Sequence, residues 1–564
     1  LAGGMKKFVM AFFLGTTSLV AFPSSAEAGP AAAIISAAAT SFGPGATAFT
    51  ALSGFWGTNV GAFVIRSAIG LALNALAPRP SLDKPRGYEF TAKDSILDHQ
   101  IIYGRTKVGG ALVHQEITDG GNFLHRVVAF AGHEIESFDA IYLNEEELDI
   151  QEIAIYELTV YADTGNGLFS RGTQRVIART SDVEVFVGDQ LNLSQYNNLI
   201  NNAQFVNQTL DLTGFQYAEV DDKETKDNTV ASGTYLNKVR INRHLGNENQ
   251  LADSDLVSES SVWTDDHRLR GVAYLYIRLE AEDGLWPSGV PEFTAIVKGK
   301  KVYDPRVDDT YWSDNPALCI RDYIKEGYGL GEDFAQIDGD MIASAANTCE
   351  ELVSGEQRYT CNGAFVTSQT PYDVLNNLLS SCGGGLWYAQ GKWRLKVAEW
   401  TAPVLDLDED DLRGSISVST KHSRRDNYNK VNGTFKGSAS NWQITDFEPV
   451  TNQDWLDQDG GFESTIDLDL PFTDTEEEAR RIALIALEVN RQQLTVQAPF
   501  GMKALQVQVG DNIRLTNSRF GWTNKTFEVV QWSFGIAGEY DLAINLTLRE
   551  TEQHIFDEVN DGDV

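Results

Sequence analysis

Residues 269–306, "LRGVAYLYIRLEAEDGLWPSGVPEFTAIVKGKKVYDPR", decide the fold class. The runs 269–283 and 293–306 are both strand texture, rich in β-branched and aromatic residues. The same texture fills residues 88–160 as "DHQIIYGRTKVGGALVHQEI", "FLHRVVAFAGHEIESFDAIYL" and "IAIYELTVYAD". There apolar and polar residues alternate, punctuated by Gly109-Gly110 and Gly120-Gly121. Between the two blocks, residues 180–265 are more polar and carry the weakly helical "LSQYNNLINNAQFVNQTL". Identical texture on both sides of a polar stretch predicts one β-barrel, 81–175 with 266–306, interrupted by an inserted lobe, 176–265.

Towards the C-terminus the texture becomes mixed. Asp340 is placed to cap a helix carrying Ile342, Ala345, Ala346, Cys349, Leu352 and Val353 at helical spacing. Thr370-Pro371 opens a second helix, stopped by Gly383-Gly384-Gly385, and "LWYAQGKWRLKV" follows as a hairpin turning at Gln390-Gly391. Thr475 and Glu478 form a capping box ahead of "ARRIALIALEVNRQ". Three strands of barrel texture, "ALQVQVGDNIRLTN", "KTFEVVQWSFG" and "YDLAINLTLRET", close the chain before an acidic tail. The expected class is mainly β with α+β parts: a mixed α/β domain at 307–400, a second barrel-like domain at 401–552 and a tail at 553–564.

With 564 residues there is length for three to five domains. The 45 basic against 80 acidic residues give a formal charge of −35, which argues against a dedicated nucleic-acid binder, since counterion release needs clustered cations. Residues 5–28 have the grammar of a secretory signal, with Lys6-Lys7, an apolar run and a cleavage-like Ala26-Glu27-Ala28. From Ala28 to Ile65 no residue is charged. Exposing such a stretch costs about 25 cal/mol per Å² of apolar surface, so burial against partners or other copies is expected. A small-residue helix from about Thr58 to Ala77 would place Phe63, Ile65, Ile69 and Leu73 as an axial plug or partner contact within the apolar segment 1–80.

Chemical motifs are weak throughout. His133 in "AGHEIE" is a poor partner for Glu134, because neighbours in a strand point to opposite faces. The acidic runs 145–147 and 405–411 match no calcium-loop pattern and read as solvated turns. No GxSxG and no GxxxxGK[ST] occur, and the glycine run 383–385 follows a helix instead of opening one. The basic cluster "KHSRRDNYNK" at 421–430 reads as a polar edge or subunit contact. Cys319, Cys349, Cys361 and Cys382 include no CxxC; Cys349 and Cys361 are spaced so that they could pair, and a reduced, buried role competes with that pairing. No catalytic residue, metal or cofactor is expected.

The ordered set "IIYGRTKVGGALV", "LHRVVAFAGHEIESFDAIYLNEEEL", the 269–306 stretch, "NPALCIRDYIKEGYGLGED", "RYTCNGAFVTSQTPYDVLNNLLSSCGGGLWYAQGKWRL" and "ALQVQVGDNIRLTN…LTLRET" covers about 88–552. It resembles the central tail hub of long-tailed bacteriophages, the hub part of the lambda-like host-specificity tail-tip proteins. The resemblance implies a structural virion protein at the tail tip, assembled in the host cytoplasm. It implies a homotrimer that closes the tail tube and gates DNA exit, its tube-like barrels continuing the ring of the tube and its other domains narrowing or shutting the channel. Implied partners are the distal tail protein ring and other tail-tip proteins, the tape-measure protein and a tail fibre or receptor-binding protein. DNA would meet it only in transit, and a host membrane only transiently. The signal-like N-terminus departs from that pattern and keeps two alternatives open: an exported β-rich surface or adhesion protein, and a tail-associated cell-wall hydrolase.

Overall fold

The computed structural model describes residues 98–557, apart from 149, 180–184, 202, 207–211, 232–234, 236–237, 282–284, 287–288, 422–426 and 538–540. The expected plug residues Phe63, Ile65, Ile69 and Leu73, with the whole signal-like segment, lie outside the described residues. The described part is mainly β, as the strand texture predicts, with α/β material in the second half.

The deciding stretch forms two long strands that go to different sheets. Ala273–Glu280 pairs antiparallel with Phe123–Ala131 and with Val239–His244 in a nine-stranded sheet. Phe293–Asp304 pairs with Ile135–Leu143 on one side and Arg105–Gly109 on the other. The two sheets face each other across one core containing Val128, Phe130, Ile141, Leu275, Ile277, Phe293 and Val297. The nine-stranded sheet also takes strands from both sides of residue 176, since Ile150–Asp163 pairs with Phe169–Arg179 and Phe215–Ala231. The helix Leu193–Asn201 covers a separate small core there, with Tyr196 and Leu199 buried among Tyr156, Leu158 and Val220.

A third core is built on helices. Asn315 caps Pro316–Lys325 by accepting from the Ala317 amide, with proline in the first turn where no amide partner is needed. Asp338, two residues ahead of the expected Asp340, caps Gly339–Cys349, its Oδ1 accepting from the Met341 amide at 3.4 Å. Thr370 caps Pro371–Ser380 as the sequence predicts. The hairpin Gly385–Ala389 and Lys392–Lys396 turns through Gln390 at φ 54° and Gly391 at φ 82°, two left-handed residues as a tight hairpin requires. The helix Glu476–Arg491 and the strands Lys430–Gly437 and Thr465–Leu470 share this helical core, through Val431, Phe435, Leu468, Ile482 and Leu487.

The six-stranded C-terminal sheet has its own core. Its order runs Leu405–Leu407, Asn512–Asn517, Trp522–Ala537, Asp541–Glu550, Thr495–Phe500 and Ser417–Ser419. Residues 401–552 therefore contribute to two packing units rather than one.

Candidate functional site

One short strand joins the first β module to the helical core. In Gln100–Tyr103 alternate side chains point to opposite faces, so Ile101 and Tyr103 enter the helical core while Ile102 enters the core of the first β module. All three are fully or almost fully buried. The strand pairs with Gly363–Val366, and at Gly104 the chain passes directly into Arg105–Gly109 of the first module. Three polar clusters pin this strand and its continuation.

The first is centred on Asp322 near the end of Pro316–Lys325. Its carboxylate accepts from the Tyr103 hydroxyl at 2.7 Å, the Tyr328 hydroxyl at 2.9 Å and Lys300 Nζ at 2.8 and 3.0 Å. Burial, and next the neighbouring Asp322 charge, push both tyrosine hydroxyls well above their ordinary range, so they remain donors. Lys300 belongs to the first module, so this cluster ties that module to the helical core.

The second cluster is a three-way junction on the loop 360–362. Cys361 N donates to Asp314 O at 2.6 Å, Asn362 N to Phe472 O at 2.7 Å, and Arg105 N to Asn362 Oδ1 at 2.7 Å. The Asn362 amide also donates to Asp474 Oδ1 at 2.8 Å. Thr360 donates through its amide and its hydroxyl to Glu478, each at 2.8 Å. The expected capping box is thus half formed: Thr475 Oγ1 accepts from the Glu478 amide at 3.4 Å, while the Glu478 carboxylate turns away to Thr360. A glutamate three residues after a threonine carries the same signal for both uses, and the sequence does not show the tertiary donor.

The third pin is Trp442. The turn before Gln443–Asp446 puts Asn441 at φ 57° and Trp442 at φ 55°, a strained conformation for a bulky residue. The buried indole lies under the Arg105 guanidinium, 5.2 Å from ring centre to cation, and Asn441 Oδ1 accepts from Lys107 Nζ at 2.9 Å. Packing against the first module holds the turn in place.

His133 lies beside this seam and in the connection between two strands, so the strand-alternation argument does not apply to it. Its Nδ1–H donates to Glu134 O at 2.7 Å and its Nε2 accepts from the Ile102 amide at 3.0 Å, which fixes a neutral tautomer. Burial lowers its pKa to about 4. The neutral ring therefore supports the fold above its ordinary value of 6.5, and that support is lost as pH falls from there through about 4. Its ring signals in an NMR titration are expected to stay neutral at pH 5. Replacement by alanine is expected to cost about 1–3 kcal/mol, because the Ile102 amide loses its acceptor; denaturant unfolding checks this.

The remaining sequence candidates scatter. The Cys349–Cys361 pair is not formed: all four cysteines are free and buried, and the Cys319 thiol donates to Ser313 O at 3.8 Å. Cys349 ends its own helix, and only its carbonyl is joined to the Cys361 segment, accepting from the Tyr359 amide. In the acidic runs, Glu147 accepts from Tyr142, Asp408 caps a turn and Asp411 pairs with Lys503 at 2.8 Å. In the basic cluster, Lys430 pairs with Glu463 at 2.9 Å, while residues 422–426 lie outside the described part. Among the described residues no group of three or more His, Cys, Asp or Glu is arranged to hold a metal ion, and no helix is long and apolar enough to cross a membrane.

Comparison with known proteins bears directly on this architecture. Residues 370–532 match the family model for a putative phage tail protein. The baseplate hub protein pb3 of Escherichia phage T5 is 23% identical over 320 residues, 52% of this chain and 33% of its own length. The chain thus spans about a third of the curated relative it matches. Among solved structures, a chain from the virion of a native gene transfer agent particle superposes with a TM-score of 0.52 at 14% identity, covering 94% of this chain and 99% of that one. A tail protein from Neisseria meningitidis is more remote, with a TM-score of 0.31 at 9% identity over 74% of this chain and 97% of its own. Residues 370–532 thus match a phage tail family model, about half of the chain is similar to part of a baseplate hub protein, and the fold is shared with a chain of the gene transfer agent particle, all in agreement with the likeness carried by the sequence.

Proposed function

We propose that this chain is the central hub at the distal tip of the tail, a homotrimer that closes the tail tube, gates DNA exit and carries the attachment of receptor-binding fibres. The observation that supports this most is the similarity to a baseplate hub over half of the chain. In this reading the first β module and the C-terminal sheet are the tube-like parts, 176–265 is an inserted lobe, and the helical core holds them in one body. Its neighbours are the distal tail ring, the other tail-tip proteins and the end of the tape-measure protein. The role is structural and uses no catalytic residue and no cofactor.

Charge supports a channel role. Three copies carry 3 × (−35) = −105 formal charges. DNA carries about one negative charge per 1.7 Å of axis, so acidic walls repel it and let it slide. Residues 8–77, with the uncharged stretch from Ala28 to Ile65 among them, are retained in this reading and lie on or near the threefold axis, with Phe63, Ile65, Ile69 and Leu73 as the contact; once released, the stretch can touch a host membrane.

Native mass spectrometry and cross-linking of the full chain are expected to give trimers, in the virion and after purification. A stable monomer that forms no ring in assembled particles would overturn the hub reading. Intact-mass measurement of the chain from particles tests the plug separately: a mature N-terminus at Gly29 removes residues 8–28 from it.

A further inference from the structure

The loop 360–362 is where the first β module, the helix Pro316–Lys325 and the segment leading into Glu476–Arg491 meet. Two carboxylates, Asp474 and Glu478 at the start of the second helix, converge on it, and Asp314 just before the first helix reaches it through its backbone carbonyl. Glu478 is buried, and its two oxygens take the Thr360 amide and hydroxyl. Asp474 takes the Asn362 side-chain amide at 2.8 Å and the Thr360 hydroxyl at 3.4 Å. Asp314 offers its backbone carbonyl to the Cys361 amide at 2.6 Å. Asn362 in turn accepts from the Arg105 amide, so the loop that the carboxylates hold also holds the first module.

Among the described residues no arginine or lysine forms an ion pair with Asp314, Asp474 or Glu478. Arg481 is near enough to act on Glu478, but its guanidinium donates to the Arg358 carbonyl at 2.6 Å. Lys298 acts on Asp314, and its ammonium lies over the Trp312 ring at 4.9 Å. Glu350 adds a further negative charge towards Asp314, and Glu478 lies within electrostatic reach of the buried thiols of Cys349 and Cys382. Acceptors outnumber donors, and the carboxylates repel one another.

We propose that this junction is a proton-linked seam: Asp474 and Glu478 lock the parts together while the cluster, with Asp314 beside them, carries protons, and full ionisation loosens them along Thr360–Asn362. Burial raises all three above the ordinary carboxylate range, with a smaller push from Glu350 on Asp314, from Asp314 on Asp474 and from Asp474 on Glu478. For a raised carboxylate the stabilising contribution is complete below the ordinary value, 3.8 for Asp and 4.5 for Glu, and is lost as pH climbs through the folded value. The seam therefore weakens as pH rises above the ordinary carboxylate range. The seam itself stands on the geometry of the junction; only its use in opening a tail channel rests on the hub reading.

Hydrogen exchange of the Arg105, Cys361 and Asn362 amides, corrected for the intrinsic pH dependence and measured on the full chain between pH 5 and pH 8, tests it. Their opening equilibrium is expected to rise with pH, by up to about tenfold per pH unit for each proton released. Glu478→Gln keeps an acceptor for Thr360 and removes the ionisable group, so the rise is expected to flatten by about tenfold per unit. Asp474→Asn, read the same way, stands in if Glu478→Gln does not fold. The inference is overturned if these amides open equally at all pH values, if they open more at low pH, or if a folded variant keeps the wild-type pH dependence. Because the readout is local to one chain, it distinguishes a failed seam from a failed trimer.

Discussion

Gly104→Ala is expected to destabilise the chain by about 4–5 kcal/mol, a size reserved for a few named mechanisms. Gly104 sits at φ +61°, where an L side chain alone costs about 1–2 kcal/mol. A Cβ there would stand 2.1 Å from Cys361 O and 2.2 Å from Asn362 Oδ1. Neither obstacle can retreat cheaply. The loop is held by main-chain bonds to Asp314 O and Phe472 O, and Asn362 is fixed by the Arg105 amide and Asp474. Relief would have to come from the Arg105–Gly109 strand moving away, which breaks the Gly299 N to Gly104 O bond of 2.7 Å. Gly120→Ala is the matched control: φ is +64°, yet no atom lies within 4 Å of its added Cβ, so about 1–2 kcal/mol is expected. Urea unfolding of the two variants measures the difference. A Gly104→Ala chain as stable as the Gly120→Ala chain would mean that the loop yields and that the junction is not tight.

The elements of this junction were legible in the sequence, and their meeting was not. "IIYGR" announces a strand, "NPALCIRDYIK" a capped helix with proline in its first turn, and "TDTEEEARRIALIALEVNRQ" another, because caps, helical spacing and alternation are local properties. What converges on Asn362 comes from positions more than 100 residues away in either direction, such as Arg105 and Asp474. Nothing in the spacing of a lone asparagine marks it as the common partner of an amide and a carboxylate. Glu478 shows the limit most clearly. Its place in the capping pattern is correct and its carboxylate is used elsewhere, since a buried amide and hydroxyl on Thr360 compete for the same oxygens. The cysteines fail for a related reason: the separation of Cys349 and Cys361 permits a loop, but the fold leaves all four thiols free and buried.

The two-core strand follows the same logic. Alternation in "QIIY" predicts that Ile101 and Tyr103 share a face and Ile102 takes the other. In an isolated sheet one of those faces would meet solvent, and a residue as apolar as isoleucine on both faces is the sign that neither does. That sign is present in the sequence. Which bodies supply the two cores is fixed only by the sheet topology, which pairs Gly363–Val366 with Gln100–Tyr103 and Phe293–Asp304 with the Arg105–Gly109 strand that follows it.

Asp322→Ala is expected to cost about 3–5 kcal/mol, the range for breaking a buried ion pair from one side. The carboxylate is the common acceptor of Lys300 and of the hydroxyls of Tyr103 and Tyr328. Its removal strands a lysine whose side chain is only 16% exposed, with Glu326 left at 3.5 Å as a longer, more exposed substitute. It also takes the acceptor from a tyrosine hydroxyl at zero exposure, leaving only the neighbouring hydroxyl at 3.1 Å. Tyr103→Phe removes a donor instead, and Asp322 keeps its other partners, so about 1 kcal/mol is expected. Because the two residues are in contact, the double variant is expected to be less unstable than the sum of the singles, by about 1–3 kcal/mol. Asp322→Asn separates charge from shape: it preserves an acceptor for one hydroxyl and leaves Lys300 with Glu326 at 3.5 Å as its carboxylate, so it should fall between the other two. Denaturant melts of the four variants close the cycle. Strict additivity would mean that Asp322 and Tyr103 act independently and that the cluster does not pin the first module to the helical core. A positive coupling, read alongside the Gly104 result, would place the strength of the molecule in the contacts along Gln100–Gly109, where one short stretch of chain joins two cores that each have their own packing.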